Sequence, residues 1–122
     1  MLTDNYLGRQ IQITSRMLAM LLLKQDLGIY LADDSSALAS DAKVLLAQLD
    51  ALVSAKKIGD AEDTLFDVLD EDASSYAVQA ALVFYTRLNE MRDQALADGG
   101  FSREEILDGL NEIKAIFGVE TV

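Results

Sequence analysis

Carboxylate side chains are the groups in this sequence whose spacing comes closest to a chemical site. Residues 60–72 hold seven carboxylates and no basic residue. The densest group is Asp67, Asp70, Glu71 and Asp72. Oxygen ligands of this kind can bind a divalent cation, but a calcium-binding loop starting at Asp70 fails, because Ser75 stands at the required glycine and Ala81 at the bidentate glutamate. We predict a solvated helix face here and no metal site.

A second set of carboxylates could pair as general acid and base. The set is Glu62, Asp63, Glu104, Glu105, Asp108 and Glu112. Asp108 lies three residues after Glu105 and four before Glu112, so these three share one face of a helix. That face lies opposite the apolar stripe of the helix, and a catalytic carboxylate needs burial or a close like charge to shift its pKa. We predict exposed carboxylates and no catalytic residue.

The chain contains no histidine and no cysteine. This absence excludes Ser-His-Asp and Cys-His catalysis, histidine phosphotransfer, disulfide bonds and the zinc sites built from these ligands. We therefore predict a protein that is not an enzyme and needs no cofactor.

Helical periodicity runs through the sequence, which has no proline and shows no alternating strand pattern. Five helices are predicted, at about Thr3–Lys24, Ala37–Lys56, Asp60–Asp72, Ser74 or Ser75 to Ala97, and Ser102–Gly118. Residues 25–36 either extend the first helix or form a separate turn. In a chain of 122 residues without a linker, these helices indicate a single domain, residues 1–122, that is all-α: a compact bundle of four to five helices.

Local signals define some of these boundaries. Gly59 is placed to stop the second helix, and the short link that follows predicts an antiparallel hairpin of helices 2 and 3. Gly99 and Gly100 end the fourth helix. Ser102 and Glu105 form a capping box for the fifth helix.

Helix 1 is apolar over an arc of roughly 200°, wider than one core contact requires. Its first face is expected to point to the core through Leu7, Ile11, Thr14, Leu18, Leu21 and Leu22. Its second face is a predicted interaction surface formed by Tyr6, Arg9, Ile13, Arg16, Met17 and Met20. The alternative is that helix 1 is the central helix of the bundle, with this face covered by the fifth helix or by residues 29–31.

The charge distribution also favours the second face of helix 1 as a contact surface. The net charge is −11, which disfavours nucleic acid and anionic membranes as partners, yet residues 1–25 carry a local charge of +2. We predict self-association through helix 1, most simply as a homodimer, with the acidic residues 60–72 of the partner chain as the counterpart. No signal peptide or membrane-spanning segment is recognisable, so the cytoplasm is the expected compartment.

A second functional hypothesis belongs to a different class. Tyr76, Phe84 and Tyr85 could line an apolar pocket between helices 1, 4 and 5 that binds a small hydrophobic molecule, which would make the chain a sensor. A non-enzymatic interaction or scaffolding domain is the leading hypothesis, and the sensor is the alternative.

Four segments together resemble a family of uncharacterised bacterial proteins of about this length. They are DNYLGRQI (4–11), IGDAEDTLF (58–66), FYTRLN (84–89) and FSREEI (101–106), the last followed by Gly109 and Leu110. The resemblance spans nearly the whole chain but supplies no site residue, because the family has no known function. Residues 44–69 also resemble, in part, one tetratricopeptide helical hairpin.

Overall fold

The structure is a computed structural model that describes residues 2–32 and 35–119, with the side chains of residues 6–32 and 35–119. These ranges are helical and contain no strand. Their six α-helices are α1 (Leu2–Leu18), α2 (Ser40–Ser54), α3 (Ile58–Glu71), α4 (Ser75–Asn89), α5 (Asp93–Asp98) and α6 (Arg103–Ile116). A π-helical turn (Ala19–Leu23) follows α1, and a 3-10 turn (Leu27–Tyr30) precedes α2. The predicted all-α bundle is confirmed, with one short helix more than expected.

α4 is the central helix of the bundle. From Ala77 to Tyr85 all its side chains are buried except that of Gln79, which is half-buried, as expected for a helix that is apolar on nearly all sides. α4 packs against α1, α2, α3 and α6, and against both short turns. The alternative in which helix 1 occupies the centre is therefore wrong.

α2 and α3 pack against each other across a short link, as predicted for a hairpin. The expected stop at Gly59 is wrong, because Gly59 lies in the first turn of α3. The chain turns at Lys56 instead, which adopts a left-handed conformation (φ 63°), and the Lys57 N–H then donates to the Leu52 carbonyl at 2.9 Å. The likeness of this hairpin to a tetratricopeptide unit stays a prediction.

The first predicted helix, expected to reach Lys24, changes character at Ala19. From there to Leu23 the backbone forms the π-helical turn, which Lys24 ends in a left-handed conformation (φ 59°). Of the two alternatives for residues 25–36, the described part shows the separate turn, at Leu27–Tyr30.

The fourth predicted helix, expected to reach Ala97, is two helices. α4 ends at Asn89, and α5 begins at Asp93. The side chain of Arg103 accounts for the break, because it donates to the carbonyls of Asn89 (3.1 Å) and Met91 (2.7 Å) and pairs with Asp93. The two carbonyls and Asp93 therefore bind a side chain from the start of α6.

α6 begins where the capping box predicts. The N–H of Glu105 donates to the Ser102 hydroxyl at 3.3 Å, which confirms the N-cap. α6 then packs against α1 and α4, so that α1 lies on the bundle with its opposite face outward.

Candidate functional site

The outward face of α1 and the turn after it exposes large apolar side chains at seven-residue spacing. Tyr6 is 63% exposed, and Ile13 and Met20 are each 55% exposed. Because seven residues make nearly two helical turns, these side chains form a line along one face. Ile11 and Leu18 are buried, as expected for the side of α1 that packs on the bundle. The apolar outward face predicted from the periodicity is therefore uncovered within the described chain.

Two arginines run beside this line. Arg9 and Arg16 are exposed and also seven residues apart, and each lies within about 60° of Ile13 around the helix axis. The ion pairs in the described part of the chain involve other arginines. Neither of these two arginines therefore has an acidic partner among the described residues. We call this surface the α1 strip: Tyr6, Arg9, Ile13, Arg16 and Met20.

The strip differs from its predicted composition at two positions. Met17, predicted to belong to it, is half-buried and packs against the core, so it lies at the edge. Leu21, predicted to face the core, is 46% exposed. Leu21 lies in the π-helical turn, whose wider turns change the direction of each following side chain. No sequence signal marks this change, because residues 17–23 are all apolar and show no face.

A groove beside α2 and α3 has a different surface character. Val44, which is 60% exposed, lines it together with Val68, Tyr76 and Asp41, and its volume is about 270 Å³. We call this cavity, lined by Asp41, Val44, Val68 and Tyr76, the α2–α3 groove. Asp41 gives the lining one carboxylate, and the exposed Asp67 and Glu71 lie next to Val68 on α3. The groove therefore combines apolar walls with negative charge.

The three aromatic residues predicted to line one apolar pocket are not brought together. Tyr76 lies at the α2–α3 groove. Phe84 and Tyr85 are buried in the core, with their ring centroids 5.1 Å apart. In the described structure these two rings therefore serve the packing of the central helix.

Carboxylates from α3 and α6 line another groove, of about 240 Å³. Its residues are Glu62, Glu105, Asp108, Gly109 and Glu112. The predicted exposure of Glu105, Asp108 and Glu112 is confirmed, whereas Glu62 is half-buried. The Tyr85 hydroxyl donates a hydrogen bond of 2.6 Å to Glu62 Oε2.

The environment shifts the pKa of both partners in this hydrogen bond. Burial raises the pKa of Glu62 above its ordinary value of 4.5. The hydrogen bond from Tyr85 lowers this pKa by a smaller amount, and the negative charges of nearby carboxylates, led by Glu105, raise it further. Burial, then the negative charge of Glu62, raises the pKa of Tyr85 well above its ordinary value of 10.0. The phenol therefore keeps its proton and acts as a donor. Among the described residues, no three acidic side chains are placed to hold a metal ion.

Comparison with protein families agrees with the resemblance seen in the sequence. The model of DUF6483, described as a family of unknown function, matches residues 1–118. The chain belongs to DUF6483. No curated protein and no solved structure matches it. Membership of DUF6483 assigns no role to any residue, so the sites of this DUF6483 chain are defined by their geometry.

The DUF6483 chain shows no membrane-spanning helix in its described ranges, where every helix is too short or too polar to cross a bilayer.

Proposed function

We propose that this DUF6483 chain is a non-enzymatic interaction domain of the cytoplasm that self-associates. The α1 strip of one copy would bind the α2–α3 groove of a second copy. The observation that carries the proposal is the exposure of Tyr6, Ile13 and Met20 in one line beside two arginines that have no acidic partner among the described residues.

Covering the apolar line supports association. Each of the three side chains is about half exposed, so covering what remains contributes roughly 1 kcal/mol per residue. Single exposed apolar side chains are normal on a protein surface, whereas several that form one patch mark a contact with another molecule. Burial of the line supplies part of the free energy that a dimer needs.

The charges argue against two strips facing each other. The α1 strip contains two arginines and no carboxylate, so a contact between two α1 strips would gather arginines without an opposite charge inside the contact. Like charges held together across an interface reduce affinity and disfavour that pairing. The strip therefore fits an acidic surface better than a second strip.

The α2–α3 groove of a second copy offers the complementary surface. Val44 and Val68 provide apolar walls for Ile13 and Met20, and the carboxylates of α3 can pair with the arginines. A stable interface buries about 800 Å² per partner, more than one helix face supplies. In a symmetric dimer each copy contributes its strip and its groove, so the contact forms twice.

Molar mass in solution tests the association. Light scattering at high micromolar concentration should give the mass of a dimer for the wild type and of a monomer for Ile13→Glu combined with Met20→Glu. Ile116→Glu is the matched control, because Ile116 is exposed (37%) but lies on α6 outside the strip. A monomeric wild type contradicts the proposal.

Charge exchange tests the partner surface. Chains with Arg9→Glu and Arg16→Glu, and chains with Asp67→Lys and Glu71→Lys, should each be monomeric alone. In an equimolar mixture every strip meets a groove of opposite charge, so the mixture should dimerise. A mixture that stays monomeric while the wild type dimerises contradicts the groove as counterpart and leaves the strip itself in place.

A further inference from the structure

Methionine is the only sulfur-containing residue type in this chain, which has four methionines and no cysteine. Peroxides oxidise cysteine thiolates and also the thioether sulfur of methionine. Because no thiolate competes for the oxidant, a peroxide that reaches this chain acts on methionine. The exposure of each methionine then decides where the oxygen is added.

Met20 is the most exposed of the three methionines whose side chains the structure describes. It is 55% exposed, whereas Met17 and Met91 are half-buried and pack against the core. Met20 is also a residue of the α1 strip, where it continues the line of Tyr6 and Ile13. The methionine that an oxidant reaches first therefore lies in the proposed contact surface.

We propose that Met20 is a modification site whose oxidation by hydrogen peroxide reverses self-association, an inference that rests on the proposed function. A lone pair on the sulfur attacks one peroxide oxygen, so that an S–O bond forms and the O–O bond breaks. The other oxygen leaves as hydroxide and takes up the proton of the transferred oxygen. The sulfur is oxidised to a sulfoxide, and the peroxide is reduced to water.

The sulfoxide makes one end of the α1 strip polar. Its oxygen is a hydrogen-bond acceptor, and the apolar walls that the α2–α3 groove offers, Val44 and Val68, carry no donor. Burying a polar group against such walls opposes association, and the apolar contact of the thioether is lost as well. We therefore expect oxidation of Met20 to weaken the dimer by about tenfold or more.

Oxidation and association compete for Met20. In the dimer the groove of the second copy covers this side chain, so the oxidant reaches it in the free chain, where it is exposed. Each oxidised chain then stays free. A thiol-dependent sulfoxide reductase restores the thioether, because two thiols form a disulfide and the oxygen leaves as water. The modification is therefore reversible.

Limited oxidation of the full chain with hydrogen peroxide tests the inference. Size-exclusion chromatography separates monomer from dimer after partial oxidation, and peptide mass spectrometry locates the added oxygen in each fraction. We expect the sulfoxide of Met20 to be concentrated in the monomer fraction and the sulfoxide of Met91 to be equally frequent in both. Treatment with a methionine sulfoxide reductase and a thiol should return the monomer fraction to dimer.

Two variants separate Met20 from the other methionines, each compared with its own untreated sample. The molar mass of Met20→Leu, which keeps an apolar side chain without sulfur, should not respond to peroxide. Met91→Leu is the matched control, because Met91 is half-buried and lies outside the α1 strip. It should lose association on oxidation as the wild type does.

Three results would overturn the inference and leave the proposed dimer in place. The first is a sulfoxide of Met20 that is equally frequent in the monomer and dimer fractions, a result that holds even if Met20→Leu fails to fold. The second is oxidation of Met17 or Met91 before Met20. The third is a peroxide response in Met20→Leu as large as in the wild type. A wild type that is monomeric before oxidation contradicts the proposed function itself, and with it this inference.

Discussion

The hydroxyl group of Tyr85 fills the space that a side chain at Gly109 would need. A Cβ added at Gly109 would overlap with the tyrosine ring and would also crowd Glu62 Oε2. α6 can therefore approach the central helix, and Tyr85 can reach Glu62, only because position 109 has no side chain. Gly109 is one of the residues that carry the resemblance to the family, and the structure gives a physical reason for it.

Gly109→Ala should destabilise the fold. Forcing one extra carbon into this contact should lower the free energy of unfolding by about 1–3 kcal/mol. Gly59→Ala is the control, because a Cβ there meets nothing within 4 Å and the loss of a helical glycine should raise stability by about 0.4–1 kcal/mol. Urea denaturation followed by circular dichroism measures both. Equal stability of Gly109→Ala and the wild type contradicts the overlap.

Stability should depend on pH through Glu62. Its pKa in the folded state is raised above 4.5, so the folded chain holds this proton more tightly than the unfolded chain. The resulting stability is fully present below pH 4.5 and is lost as the pH rises through the folded pKa.

Denaturation of the wild type and of Glu62→Gln from pH 4.5 to neutral pH separates the contribution of Glu62 to stability from that of the other carboxylates. The wild type should lose stability relative to the variant as the pH rises toward neutrality. Glu104→Gln removes an exposed carboxylate and should keep the wild-type profile. Parallel profiles of the wild type and Glu62→Gln would speak against a raised pKa.

Arg103 should stabilise the junction of α4, α5 and α6. Its side chain is only 14% exposed and binds two carbonyls and Asp93. Arg103→Met should lower the free energy of unfolding by about 1.5–3 kcal/mol, the usual contribution of hydrogen bonds to a charged group. Amide hydrogen exchange in α5 should accelerate. Arg92→Met, at an exposed position, should change neither quantity; the same loss in both variants counts against a specific role of Arg103.

This junction also shows where sequence reasoning ends. The start of α6 was predictable, because Ser102 and Glu105 lie within one turn and act locally. The end of α4 was not, because no glycine or proline stands between Asn89 and Arg92. The break depends on Arg103, a residue that reaches these carbonyls only after the bundle has formed.

The candidate sites also divide into features that local sequence predicts and features that depend on tertiary packing. The α1 strip was predictable from periodicity, since Tyr6 and Ile13 repeat at helical spacing next to a buried face. The hydrogen bond from Tyr85 to Glu62 was not predictable, because only tertiary packing brings these residues of α4 and α3 together. The position of Leu21 was missed because an apolar run contains no polar residue to show a change in helix type.

Lys56→Gly should stabilise the chain. Lys56 adopts φ 63°, a conformation that costs a residue with a side chain roughly 1–2 kcal/mol but costs glycine little. After allowing for the greater flexibility of unfolded glycine, we expect a gain of up to about 1 kcal/mol in thermal denaturation. Lys57→Gly is the matched control, because its φ of −119° suits any residue, and it should lower stability. A loss in both variants would contradict the strain at Lys56.

The packing of α1 against α6 bears on how the chain is made. A ribosome that adds about 5–20 residues per second takes on the order of ten seconds to go from the end of α1 to the start of α6. During that interval the apolar inner side of α1, with Ile11 and Leu18, has not yet met its last neighbour. The domain can therefore close only late in its own synthesis, and until then part of the apolar inner side of its first helix stays uncovered.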